Sequence, residues 1–154
     1  MTDIVDPATR SRMMSGIQGK NTRPEILIRK ALFARGFRYR LHGADLPGKP
    51  DLVFPRYRAV VLINGCFWHL HGCHLFKWPS SRPEFWRTKL EANKARDLRI
   101  LDQLHDAGWR TLTIWECAIK GKYRWSSEQL INAIADWLRQ GHPSTNVSGL
   151  KPSG

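Results

Sequence analysis

Apolar positions along this chain recur with two periods, and the switches between them mark out its elements. Ile26, Leu27, Ile28, Ala31, Leu32 and Ala34 repeat at helical spacing. Ahead of them Thr22-Arg23-Pro24-Glu25 forms a capping box, in which Glu25 can reach back to the Thr22 amide, and Gly36 ends the helix. Phe37-Arg38-Tyr39-Arg40-Leu41 then alternates as a half-buried strand does. After a loop rich in turn formers, Asp51 stands at the entrance of a short apolar strand, Leu52-Val53-Phe54. Ala59-Val60-Val61-Leu62-Ile63 reads as a buried strand paired with it.

Ser81-Arg82-Pro83-Glu84 repeats the capping-box pattern before a long helix that runs to about residue 107 and stops at Gly108. Residues 109–115 alternate as another strand. Ser126-Ser127-Glu128-Gln129 caps a last helix with Leu130, Ile131, Ile134, Trp137 and Leu138 on one face. The order predicts an α/β domain over residues 21–140, a mixed sheet with helices on both sides. Residues 1–20 read as a basic arm: Asp6-Pro7 opens a short helix carrying Arg10, Arg12, Met13 and Met14 that either orders on a partner or frays. The Pro, Ser and Gly content of residues 141–154 predicts a disordered tail.

The long helix breaks its own pattern. At about 100° per residue, Trp86, Lys89, Asn93 and Asp97 fall within roughly 80° of one another, on the stripe of Leu90, Leu101 and Leu104. A core stripe that turns polar in its first half either faces a ligand or twists out into solvent.

Between the third strand and this helix lies Gly65-Cys66-Phe67-Trp68-His69-Leu70-His71-Gly72-Cys73. Cys66, His71 and Cys73 suit a loop wrapped around one metal ion, and Cys117, the remaining cysteine, completes a tetrahedral zinc set at the end of the next strand. His74 is the alternative to His71, and three reduced buried cysteines are the plainer reading. Asp51 suits a strand interior poorly and is better explained as a ligand for a hard cation.

Charge narrows the partner. Lys and Arg outnumber Asp and Glu by 25 to 13, a net charge of +12, which favours a polyanion such as nucleic acid. Trp68, Trp78 and Trp86 lie in or beside the metal loop, where a core is not expected to hide them all, and aromatics beside cations can stack on bases or wedge between them. No run of eighteen apolar residues offers a membrane span, and the first six residues lack a signal peptide's features. An odd number of cysteines at metal-like spacing argues for a reducing compartment, so a cytoplasmic protein is expected.

The element order, with an Asp on the second strand, resembles the core of the restriction-endonuclease-like fold. Gly65-Cys66-Phe67-Trp68-His69, Glu84-Phe85-Trp86, Asn93-x3-Asp97 and Trp115-Glu116-Cys117 give a closer match. Over residues 6–139 the chain resembles the very-short-patch repair (Vsr) DNA endonucleases, which nick DNA beside the thymine of a T·G mismatch made when 5-methylcytosine deaminates. The resemblance implies that Cys66, His71, Cys73 and Cys117 are structural zinc ligands, and that Asp51 and the main-chain carbonyl of Ile63 bind catalytic magnesium. It implies that His69 acts on the attacking water, with Glu25 and Asp97 placed around both. Phe67, Trp68 and Trp86 match aromatics that enter the base stack from the major groove, Met14 one that enters from the minor groove, and Lys89 and Asn93 residues that contact the mismatched pair.

Asn64 departs from the family, whose best-known members carry His there. Asn cannot titrate near neutral pH, which shifts the acid–base work to His69, although it can hydrogen-bond a phosphate or water. The expected partner is double-stranded DNA with a T·G mismatch, bound by a monomer. Mismatch-repair proteins and a cytosine methyltransferase would act in the same pathway. Two rivals stand beside this: a zinc-stabilised DNA-binding module without catalysis, and a nuclease of the same fold with another target.

Overall fold

The structure, a computed structural model, describes residues 23–150. The expected arm with Met14, the Thr22 half of the first capping box and residues 151–154 lie outside the described residues. Helix α1 (Arg23–Ala34) is followed by strands β1 (Arg40–Leu41), β2 (Leu52–Phe54) and β3 (Ala59–Asn64). Helix α2 (Pro83–Asp106), strand β4 (Arg110–Trp115), helix α3 (Ser127–Gln140) and strand β5 (Thr145–Val147) complete the order. The five strands form one mixed sheet in the order β1-β2-β3-β4-β5. β1 pairs with β2 and β2 with β3 antiparallel, whereas β3, β4 and β5 run parallel.

Alternation along the strands separates two cores. Leu52, Phe54, Ala59, Val61, Leu112 and Ile114 point to one face, where Ile28 and Leu32 of α1 and the apolar side of α3 cover them. Val53 and Val60 point to the other and meet Leu104, Ile100 and Leu62 under α2. The mixed sheet with helices on both sides is therefore the observed architecture, and the period of two along each strand is its cause.

Several boundaries differ from the sequence expectation. The strand expected over residues 37–41 narrows to Arg40 and Leu41, which pair with Val53 and Leu52. Phe37 and Tyr39 instead pack edge-on against Phe54, with ring centroids 6.3 and 5.8 Å away. Ser81 does not cap α2. The N-cap is Arg82, in the left-handed region at φ 53°, because Pro83 takes the first helical position, where its missing N–H costs nothing. Ser126 does cap α3, its hydroxyl accepting from the Gln129 amide at 3.1 Å.

The tail from Gly141 is the largest difference. Instead of a disordered segment, residues 145–147 add β5 along β4, pairing Leu112 with Thr145 and Ile114 with Val147. Its polar composition fits because the segment is held through the backbone. The Trp137 indole N–H donates to the Pro143 carbonyl at 2.9 Å, Arg110 to that of His142 at 2.8 Å, and the Trp125 indole to that of Ser148 at 2.8 Å. The Gly149 amide donates to the Cys117 sulfur at 3.3 Å. A Cβ on Gly149 would stand 2.7 Å from the Cys117 carbonyl oxygen and 3.0 Å from that of Tyr123. Both are main-chain atoms that cannot swing aside, so Gly149→Ala is expected to destabilise the protein by about 1–3 kcal/mol, as overpacking does. Chemical denaturation of the variant checks this, and an unchanged midpoint would mean that the segment shifts without cost.

Candidate functional site

The parallel pair β3·β4 is the frame of the site. Its strands end in register, Asn64 opposite Trp115, and the chain beyond each end supplies a cysteine. Cys66 and Cys117 are both buried, and the Cys117 amide donates to the Cys66 sulfur at 3.3 Å. The loop from Cys66 is tightly wound: the His71 amide donates to the Cys66 carbonyl at 2.9 Å and the Cys73 amide to that of His71 at 2.9 Å. This winding turns His71 Nδ1 to within 3.4 Å of the Cys66 sulfur and 3.7 Å of the Cys117 sulfur. The ligand atoms of Cys66, His71, Cys73 and Cys117 all lie within 4.8 Å of one another, a set that can hold one metal ion. His74 stands apart, edge-on to Tyr123 at 4.7 Å, so the alternative to His71 is not the one assembled.

The electrostatics of this cluster favour a cation. Burial pushes the Cys66 thiol well above its ordinary range, and the nearby Cys73 and Cys117 raise it further, although the Cys117 amide opposes them. Burial likewise raises Cys117, partly offset by the Gly149 amide. Thiolates here need a positive charge among them. The His71 ring is held toward its neutral, ligating form by burial and then by Lys94, and stacks on Trp115 with centroids 4.1 Å apart. The Glu116 carboxylate, which sequence reasoning missed, accepts from the Cys66 amide at 3.1 Å and pins the loop to the end of β4. Its position between Trp115 and ligand Cys117 is the signal that could have found it.

A second group opens on the α2 side of the sheet. The Asp51 carboxylate, at the start of β2, accepts from the Ile63 amide at 2.6 Å. Ligand atoms of Glu25, His42 and Asp51 lie within 4.8 Å of one another, a second set that can hold a metal ion. Glu25 is 1% exposed, and its Oε2 lies 3.0 Å from both the Arg29 guanidinium and His42 Nε2. Burial pushes Asp51 up to about 6, the Ile63 amide opposes the shift, and the neighbouring Glu25 carboxylate adds to it. His42 escaped sequence reasoning because a lone His at the end of a two-residue strand carries no spacing signal.

His69 completes this side. Its Nδ1 is 2.5 Å from Asp97 Oδ2, on the polar stripe of α2. Asp51, Asn64, His69, Asp97 and His42 line one cleft of about 740 Å³, together with the cations Lys49, Lys94 and Arg96. The polar half of the α2 stripe thus faces this cleft and the metal loop. Asn93 Nδ2 donates to the Trp68 carbonyl at 3.1 Å, and Lys89 is exposed.

Beside the cleft the aromatics form one cluster. Trp68 is 8% exposed, packed at 5.0 Å from Phe67 and 5.9 Å from Trp86, so it is not the projecting ring that the loop sequence suggested. The wound loop turns its indole inward, against Phe67, Gly65 and Trp86 of α2. Phe67 and Trp86 are half-buried, and Phe76, Phe85 and Trp78 extend the cluster outward. Arg82 lies over Phe85 at 4.3 Å and Arg87 over Trp78 at 5.2 Å, giving the surface stacking faces and positive charge together.

Similarity to known proteins agrees with this geometry. The sequence model of the family described as DNA mismatch endonuclease Vsr matches residues 2–75. The chain is 41% identical over 138 residues to the DNA mismatch endonuclease Vsr of Escherichia coli (strain K12), covering 90% of this chain and 88% of that protein. It is 47% identical over 119 residues to the type II nicking enzyme V.XorIIP of Xanthomonas oryzae pv. oryzae (strain KACC10331 / KXO85), covering 77% and 88%. To the type II nicking enzyme V.NmeAIP of Neisseria meningitidis serogroup A / serotype 4A it is 43% identical over 122 residues, covering 79% and 87%. A cleft joining carboxylates, an imidazole and cations, in a chain with these relatives, is that of a DNA endonuclease. The chain belongs to the Vsr family of DNA mismatch endonucleases.

Proposed function

We propose that this endonuclease depends on magnesium and nicks one strand beside the thymine of a T·G mismatch left by deamination of 5-methylcytosine, the opening step of very-short-patch repair. The observation that carries the reading is the His69–Asp97 pair sharing one cleft with Asp51, next to the aromatic cluster. The sheet is read as the restriction-endonuclease-like core, with Asp51 at the start of its second strand. The donor set fits a hard cation, because the buried Glu25 carboxylate and the half-buried Asp51 carboxylate lie within 4.8 Å of each other and Asp51 is held up to about 6. Asp51, Glu25 and the Ile63 carbonyl would hold it. Within a strand the N–H and C=O of one residue point to the same edge, so the Ile63 carbonyl faces the side where its amide meets Asp51. When bound, magnesium would draw charge from the scissile phosphate.

The residues of the chain supply the rest. Asp97 occupies Nδ1 of His69 and fixes the ring, leaving Nε2 to take a proton from the attacking water. Asn64 can donate a hydrogen bond to a phosphate oxygen but cannot exchange a proton there. Lys49, Lys94 and Arg96 draw the DNA backbone into the cleft. Zinc is the ion assigned to the cluster of three cysteines and His71, as a closed structural site.

Recognition falls to Phe67 and Trp86 as wedges in the major groove. Trp68 is a buried support behind them, and Lys89 is the exposed cation beside the mismatched pair. Asn93 holds the Trp68 carbonyl with its amide and keeps Oδ1 for a base edge. Met14, assigned to the minor groove, lies outside the described residues. Unstacking costs less at a mismatch, so wedges favour the T·G site before any hydrogen bond is counted. The protein is read as a cytoplasmic monomer that shares its pathway with mismatch-repair proteins and a cytosine methyltransferase.

A nicking assay on paired and T·G duplexes, with and without magnesium, tests the proposal. Nicking confined to the T·G duplex and lost without magnesium is expected, whereas equal cutting of paired DNA would overturn the assigned target. Phe67→Ala is expected to weaken T·G binding by about 1–3 kcal/mol, the usual worth of a base–aromatic stack, and to leave binding to paired DNA nearly unchanged. Titrations at two salt concentrations separate this from general attraction. An equal loss on both duplexes would make the loop a general DNA clamp.

A further inference from the structure

We propose that His42 supplies a nitrogen ligand to the cation held by Asp51 and Glu25, and so tilts the site toward manganese over magnesium. The inference rests on the metal reading of Asp51 above. Three observations carry it. His42 Nε2 lies 3.0 Å from Glu25 Oε2, and the ligand atoms of the three side chains all lie within 4.8 Å of one another. The ring lines the same cleft as Asp51, His69 and Asp97, so it faces the reacting region and not the core. The backbone is tied in place as well: the His42 amide donates to the Asp51 carbonyl at 3.0 Å, and His42 itself sits at φ 49°. A left-handed conformation is unfavourable for a residue with a Cβ, and here it accompanies an imidazole grouped with two carboxylates.

Ligand chemistry then decides the metal. Magnesium demands oxygen ligands and keeps its waters. An imidazole adds little for magnesium but strengthens the hold on a first-row transition ion. To bind the ion, Nε2 must present its lone pair, which places the ring hydrogen on Nδ1. Arg29, also 3.0 Å from Glu25 Oε2, keeps that carboxylate compensated while the contact with His42 is exchanged.

The test uses the full-length, zinc-loaded protein without DNA. Manganese is titrated by electron paramagnetic resonance, magnesium is added as competitor, and the bound manganese is examined for coupling to nitrogen. Coupling is expected in the unaltered protein, and its absence would overturn the proposal whatever the variants do. His42→Gln is expected to lose the coupling and to bind manganese roughly tenfold more weakly, with magnesium affinity nearly unchanged. Equal weakening of both metals would make His42 a support for Glu25 and overturn the selectivity. Undiminished manganese binding with persistent coupling would overturn it too. Asp51→Asn separates the two levels. If that variant binds manganese normally, the reading of Asp51 as a metal ligand fails. If it loses the metal while His42→Gln keeps the same preference, only the role of His42 fails.

Discussion

Asp51→Ala is expected to lower the nicking rate by about a thousandfold or more while T·G duplex binding falls by less than about threefold. The carboxylate lies at the start of β2, tied to the Ile63 amide and grouped with Glu25 and His42, none of which belongs to the aromatic cluster assigned to recognition. Its loss removes an anionic ligand and leaves the binding surface as it was. His69→Ala is expected to behave alike, with a loss of about a hundred- to ten-thousandfold, the usual contribution of a positioned general base. Asp97→Asn gives the intermediate case, because it keeps a contact to Nδ1 but no longer favours the imidazolium that forms during proton transfer. Single-turnover nicking with saturating enzyme isolates the chemical step, and parallel titrations of duplex binding measure the rest. A variant that cuts at close to the parent rate would remove that residue from the chemistry.

Cys117→Ala is expected to cost the protein its zinc and about 10 °C or more of thermal stability. Three sulfurs and an imidazole converge within 4.8 Å, and removing one leaves the set open. The damage spreads because the Cys117 sulfur also receives the Gly149 amide at 3.3 Å, which helps to hold the end of the C-terminal segment. Metal analysis after dialysis against a weak chelator, with a thermal melt of the same sample, measures both effects. Full zinc and an unchanged melt would take Cys117 out of the site. Glu116→Gln offers a milder comparison: it keeps an oxygen for the Cys66 amide and should retain the metal.

The sequence was most legible where residue type and spacing carry a physical demand. Cys66, His71 and Cys73 share one short loop, and alternation in β3 and β4 implied that Cys117 would end its strand beside them. The polar interruption of the α2 stripe announced a face turned from the core, and Asp97 and Asn93 are found there against His69 and Trp68. What stayed hidden was set by tertiary placement. Nothing local to His42 says that it will meet Glu25, 17 positions earlier. The burial of Trp68 depends on how tightly its loop winds, which spacing does not reveal. The last strand was missed because its composition is that of a linker, and its order comes from donors elsewhere, Arg110, Trp125 and Trp137.

Once a metal ion joins Cys66 to Cys117, the chain acquires a cross-link between residues 51 positions apart. Such a tie acts on the unfolded protein as much as on the folded one. By the chain-entropy estimate used for disulfides, closing a loop of this length removes about 4 kcal/mol of disorder from the denatured ensemble. His69 and Asp97 both lie inside the loop, together with all of α2 up to its last residue. A molecule that frays at β1 or β5 would therefore keep its imidazole and the carboxylate that orients it within a short search of each other. Recovery of the catalytic pair after partial unfolding should then track metal supply, whereas the redox state of the surroundings, which governs a disulfide, would matter only through the thiols left when the metal is gone.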